Sequence, residues 1–164
     1  MGRGYLLMDE IDENKELKRM EAYCAQAEHC RSEVTDKLVR KGVPYDMADR
    51  IADRLEQDKF IDERRYSRAF IQDKFRFAKW GKQKIGLALR QKRIDPAVYQ
   101  PLLAGIDTEE YLAVLKALLE SKKKSLHIAD GYECRAKLTR FALGRGFSAD
   151  DIRLCIGSVG EDEW

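Results

Sequence analysis

Proline is almost missing from this chain, with three residues in 164. No Asn-Gly pair is present to turn a tight hairpin, and β-branched residues form few clusters, so the usual ingredients of strands are scarce. Cysteine is too sparse and too badly spaced for a framework. Cys24, Cys30, Cys134 and Cys155 contain no Cys-x-x-Cys pair, and only His29 and His127 could join them as ligands. Neither a zinc site nor a disulfide scaffold is expected, and the cysteines read as small buried apolar residues in a reducing compartment. Long apolar runs are also lacking: none approaches the ~20 residues of a membrane span. The short GYLLM near the start leads directly into acids, unlike a signal peptide. The expectation is a cytoplasmic protein with no membrane partner, no metal and no cofactor.

Catalytic signatures are missing as well. There is no Gly-x-Gly-x-x-Gly, no phosphate-binding Gly-x-x-x-x-Gly-Lys-Ser/Thr, no His-Glu-x-x-His and no serine elbow. The paired acids Asp9-Glu10 and Asp150-Asp151 suit a solvated tail and a helix start better than acid–base work. No catalytic residue is assigned, and the chain is read as a non-enzyme.

Charge is abundant instead, at 37% of residues, and it is unevenly divided. Residues 70–106 hold eight cations against two acids, and residues 111–156 hold nine against five. Residues 24–61 hold seven against eight. A local cationic field concentrates polyanions whatever the overall charge, so the net +2 of the whole chain conceals the informative feature.

Apolar residues recur at spacings of three and four: Val34 and Leu38; Ala48, Ile51, Ala52 and Leu55; Ile85, Ala88 and Leu89; Leu112, Leu115, Leu118 and Leu119. This is the period of amphipathic helices. Gly42 closes one helix and Pro44 opens the next at its first position; Asp95 caps a helix that Pro96 starts and Gly105 closes. Asp107 with Glu110, and Gly146 followed by Ser148 and Asp151, repeat the stop and start.

Adding 51 to the first unit aligns Val34 with Ile85, Leu38 with Leu89, Val43 with Ile94 and Ile51 with Leu102. Adding 104 aligns Val34 with Leu138, Gly42 with Gly146, Val43 with Phe147 and Ile51 with Cys155. The spacing therefore predicts an all-α fold of three tandem three-helix repeats. Helices are expected near 15–27, 31–41, 45–57, 62–77, 82–92, 96–104, 109–123, 132–143 and 149–156. The repeats divide at 15–61, 62–106 and 107–156, after a disordered or weakly ordered acidic lead over 1–14 and before an acidic tail over 157–164. Such units stack on neighbours to bury their faces, which predicts an elongated or curved array. Val34, Leu38, Gly42, Tyr66, Phe70, Trp80, Gly81, Ile85, Leu89, Gly146 and Phe147 are the expected structural positions of the repeat.

The run DERRYSRAFI at residues 62–71, continuing through Trp80-Gly81 and Lys84-Ile85 to Leu89 and Lys92, resembles the signature of the RecX regulatory proteins. HCRSEVTDKLVRKGV at residues 29–43 is similar to the opening unit of that family. One departure stands out: Arg93 occupies a position where the family often has glycine. The resemblance covers about residues 17–156, and three tandem three-helix repeats fit it too. It implies a monomeric modulator of the RecA recombinase, most often an inhibitor, that binds the RecA filament on single-stranded DNA and limits its extension, ATPase or strand exchange.

The candidate binding face comprises Lys74, Arg76, Lys79, Lys82, Lys84, Arg90, Lys92, Arg93, Lys137, Arg140 and Arg145. Its first members interleave with Phe75, Phe77 and Trp80, whose spacing predicts packing against the next unit rather than base stacking. Single-stranded DNA is expected as a secondary, non-specific partner held through phosphates. The Lys41-Gly42-Val43-Pro44 turn superficially resembles a helix-turn-helix, but the third helices are apolar or acidic, which is the wrong chemistry for a major groove. The competing reading is a basic helical module that simply coats DNA. Lys122-Lys123-Lys124 reads as a solvated helix end.

Overall fold

The computed structural model describes residues 11–159. Among the described residues there are nine helices and no strand. In chain order they are α1 (Glu13–Gln26), α2 (Arg31–Lys41), α3 (Tyr45–Gln57), α4 (Glu63–Arg76), α5 (Lys82–Gln91), α6 (Pro96–Ala104), α7 (Thr108–Leu126), α8 (Tyr132–Gly144) and α9 (Ala149–Val159).

Local chemistry sets most of the boundaries. Asp12, Asp95 and Asp107 accept backbone N–H bonds from Asn14, Ala97 and Glu110, at 3.0, 3.0 and 2.9 Å, which satisfies donors that a helix start leaves unpaired. Ser148 does the same for Asp151. At α2 the cap is a cysteine: the Cys30 backbone N–H donates to Glu33 Oε1 at 3.2 Å, and the thiol donates to the same oxygen at 3.3 Å. The stops after α2, α5 and α8 share one backbone solution. Gly42, Arg93 and Gly146 all adopt positive φ, at 107°, 60° and 99°, so the arginine takes the left-handed turn despite its Cβ.

Several expectations shift. Pro44 caps α3 instead of occupying its first position. Gly105 closes α6 in a right-handed conformation. Asp130-Gly131, a dipeptide common in hairpins, enters α8 instead. Helix α7 runs through the triple lysine to Leu126 and stops at His127, with φ 52°, and Lys123 pairs with Asp130 at 2.8 Å. Residues 1–10 and 160–164, most of the expected acidic lead and tail, lie outside the described residues. Within them α1 starts two residues before the expected helix, and α9 continues to Val159.

The chain divides into two compact units. One takes the described residues up to Ala69 and, from further along, Lys92–Ile94; the other takes Phe70–Gln91 and the described residues from Asp95 onward. In the first, α3 packs on α1 and α2 around Met20, Val34, Leu38, Val43, Ala48, Ile51, Leu55 and Ile61. Full burial of a Leu or Ile side chain contributes about 1.5–3 kcal/mol, so this stripe is what holds three short helices together. Arg31 stitches α2 to α3 through Asp53 at 2.8 Å and Glu56 at 3.2 Å.

In the second unit α5 packs on α6, while α7, α8 and α9 pack on one another. Ile85, Leu89, Leu138, Ala142 and Phe147 are buried, as the register anticipates. One position slips: Leu103, not Leu102, is the buried residue of α6. Cys30, Cys134 and Cys155 are buried thiols, whereas Cys24 is only half-buried.

Candidate nucleic-acid interface

The second unit gathers cations and aromatics where α4 turns into α5. After α4 the chain reverses tightly. The N–H groups of Phe77 and Ala78 both donate to the Asp73 carbonyl, that of Trp80 donates to the Lys74 carbonyl at 2.9 Å, and Lys79 takes positive φ. The turn separates three aromatics that the sequence treats alike. Phe75 is buried and stacks on Tyr111, with ring centroids 5.6 Å apart, and Tyr111 in turn meets Phe147 at 5.2 Å. Trp80 is half-buried, with the Lys84 ammonium 4.4 Å and the Lys74 ammonium 4.9 Å from its ring centroid. Phe77 is 82% exposed, contrary to the packing role its spacing suggests.

Tyr111 anchors the start of α5. Its hydroxyl accepts the Lys82 backbone N–H at 2.9 Å, and the Lys82 ammonium stands 4.7 Å from its ring centroid. Burial pushes the phenol pKa above its ordinary value, with the Lys82 N–H bond opposing. A neutral phenol with an apolar ring thus seats the first turn of the cationic helix.

Behind this turn lies a glycine contact. The Gly81 N–H donates to the Arg145 carbonyl at 2.7 Å, and the Gln83 N–H donates to the Gly146 carbonyl at 3.0 Å. Gly81 and Gly146 are therefore more than helix stops: α5 hangs from the α8–α9 turn by main-chain bonds. Arg145 completes the clamp, its guanidinium donating to the Ala78 carbonyl at 2.6 Å. The sequence reads Arg145 as a surface cation, but its head group is committed to the backbone.

The other candidate cations fall into three groups. Lys79, Lys84 and Arg90 have no acidic partner among the described residues. Lys82 and Arg90 rim a groove of about 550 Å³ between α5 and α6, lined also by Leu87, Tyr99 and Leu103. Arg76 pairs with Glu110 at 3.5 Å, and Lys74 lies 3.9 Å from Asp73.

A second group, Lys92 and Arg93, belongs to the other compact unit. Lys92 pairs with Glu33 at 3.8 Å and Arg93 with Asp36 at 2.9 Å. These acids of α2 are thus neutralised locally. Burial alone would raise the Glu33 pKa, but it is lowered by the Cys30 N–H and thiol, by Lys92 and by the Tyr66 hydroxyl.

The third group lies on α8. Lys137 pairs with Glu133 at 3.6 Å, Arg140 is exposed, and Tyr132 is exposed at the start of the same helix. Sequence reasoning missed Tyr111 and the Arg145 clamp. The only available signal was Tyr111 at a buried position of its helix.

Among the described residues no group of His, Cys, Asp or Glu could hold a metal ion, and no helix is long and apolar enough to cross a membrane. Fold and surface together define an all-helical repeat protein that presents cations and aromatics.

Comparison with known proteins narrows the class. Residues 62–100 match the model for the second three-helix domain of RecX, and residues 109–156 match that for the third. The chain is 32% identical over 141 residues to regulatory protein RecX of Pseudomonas fluorescens, covering 85% of this chain and 88% of that one. It is 29% identical over 152 residues to RecX of Chlorobium phaeobacteroides, covering 93% and 98%. Against RecX of Clostridium botulinum, 32% identical over 123 residues, it spans only 57% of that protein's length. Among solved structures it is similar to RecX from Lactobacillus salivarius, with a TM-score of 0.80 at 21% identity, covering 90% of this chain and 96% of that one. The chain belongs to the RecX family of regulatory proteins.

Proposed function

We propose that this protein binds the RecA recombinase filament on single-stranded DNA and restrains its extension, ATPase and strand exchange, so regulating homologous recombination and repair. It acts as a cytoplasmic monomer, without a cofactor and without catalysing a reaction, and its working units are the repeats at 15–61, 62–106 and 107–156. Family membership supports the recombinase as target. The observation that carries the surface is the cluster of Lys79, Lys82, Lys84 and Arg90 over the α4–α5 turn and α5, none of them paired with an acid among the described residues. A face of this kind makes many modest contacts, whose affinities multiply when they are linked on one body.

The competing reading, a basic module that coats DNA, draws on the same cations. Recombinase ATPase on single-stranded DNA at near-physiological salt separates the two. Inhibition with the protein far below the DNA concentration supports filament targeting; inhibition only once the strand is saturated supports coating. A phosphate binder also loses affinity steeply with salt, whereas a filament binder loses less.

A further inference from the structure

We propose that the turn after α4 is a stacking platform for single-stranded nucleic acid, with the Phe77 ring as the surface on which an unpaired base lies. This deepens the reading above by naming a contact on the same face. The titrations that decide it use DNA without recombinase, so the two can fail separately.

Phe77 leaves 82% of its surface in water, while Phe75, two residues earlier, is buried against Tyr111. The backbone that carries the exposed ring is held in place. The Phe77 N–H is bonded to the Asp73 carbonyl, and the next carbonyl, that of Ala78, accepts the Arg145 guanidinium at 2.6 Å. Arg145 is itself fixed by the Gly81 N–H on its own carbonyl, at 2.7 Å. A ring on a backbone pinned at the following residue has already met the backbone share of the ordering cost of binding.

The charge beside the ring selects the occupant. Lys79 follows at an exposed left-handed position with no acidic partner among the described residues. The Lys74 and Lys84 ammonium groups both stand over the Trp80 ring three residues on, so that indole is already engaged with cations. The nearby acids are already engaged, Glu110 by Arg76 and Asp73 by Lys74. Cations that follow a phosphate backbone, next to an aromatic face open to a base, match single strands; a duplex keeps its bases stacked inward. An apolar pocket on a protein partner would accept the ring but gives no reason for the cations around it.

The test is a cycle of two proteins and two strands: wild type and Phe77→Ala, each titrated by fluorescence anisotropy against a labelled oligothymidylate and its abasic counterpart. Because the side chain is exposed, the variant should keep its helicity and melting temperature, which circular dichroism checks. Stacking predicts that Phe77→Ala weakens binding to the base-bearing strand about tenfold. Both proteins should then bind the abasic strand alike, and both should show the same salt slope, since phosphate contacts are untouched. Phe77→Trp should restore affinity, whereas Phe77→Leu, apolar but without a π face, should not. Equal binding of wild type and Phe77→Ala to the base-bearing strand overturns the proposal, as does a loss of the same size on both strands. If DNA binding is unchanged while affinity for a recombinase filament falls, Phe77 is a protein contact and the platform is wrong.

Discussion

Gly81 and Gly146 meet backbone to backbone: a Cβ on Gly81 would stand 2.4 Å from the Gly146 carbonyl carbon, and one on Gly146 would stand 2.4 Å from Cβ of Lys84. They are 65 positions apart in the chain, so the absence of two methyl groups lets the start of α5 lie against the α8–α9 turn. Main-chain bonds at 2.7 and 3.0 Å then fix it there.

Alanine at either position should therefore be costly in a way that Gly42→Ala is not. Gly42 also has positive φ but nothing within 4 Å of a Cβ, so its substitution carries only the conformational cost of about 1–2 kcal/mol. Gly81→Ala and Gly146→Ala force backbone apart and should cost roughly 3 kcal/mol or more. Urea denaturation of the three variants gives the order; equal losses would remove the special role of the junction.

Arg145 provides a test of geometry against charge. Its guanidinium is bonded to the Ala78 carbonyl, and a lysine keeps the charge but not the planar fork. Arg145→Lys should lose nearly as much stability as Arg145→Ala, on the order of 1–3 kcal/mol for a hydrogen bond from a charged donor. Full recovery by lysine in thermal melts would return Arg145 to the status of a surface cation.

Reversing Lys79, Lys84 and Arg90 together should weaken single-strand binding and reduce the salt slope by about 2, at roughly 0.7 per lost phosphate contact. Reversing Lys92 and Arg93 should leave that slope nearly intact and instead cost about 0.2–1 kcal/mol per broken surface pair, because their partners Glu33 and Asp36 lie on α2. Anisotropy over a salt series, alongside melting temperatures, measures both arms.

Glu33 makes a pH prediction. Its folded pKa is lowered from the ordinary 4.5, so its contribution is fully present above about that pH and is lost as pH falls through the lower folded value. The stability gap between wild type and Glu33→Gln should be constant near neutrality and close progressively below pH 4.5. Glu63 has the opposite sign, since burial raises its pKa and protonation there favours the folded state. The gap between variants is thus the clean observable, measured by urea titration at stepped pH. A gap independent of pH would mean the Glu33 carboxylate is not the stabilising form.

The elements were readable because their signals are local. Asp95-Pro96 and Asp107 act within three residues, and the Val34/Leu38 and Ile85/Leu89 spacing identifies the buried side of each helix. What lies across the fold was not readable. Periodicity shows that a residue such as Phe75 faces inward, but it cannot separate Phe75 from Phe77 once a turn intervenes. Nor does it reveal that Arg145 reaches Ala78, 67 positions earlier, or that Arg93 reaches Asp36, 57 positions earlier. Positive residues look alike in a sequence; their partners sort them into clamp, ion pair and free surface.

The first compact unit takes Lys92–Ile94 from beyond α5, which has a consequence for synthesis. A nascent chain that has emerged only as far as Ala69 lacks two ion pairs to α2 and the buried side chain of Ile94. Domains commonly mature in order as they leave the ribosome, but here the amino-terminal unit is finished only after a later helix has been made. Those two ion pairs and the burial of Ile94 can form only once residues 70–94 have been made.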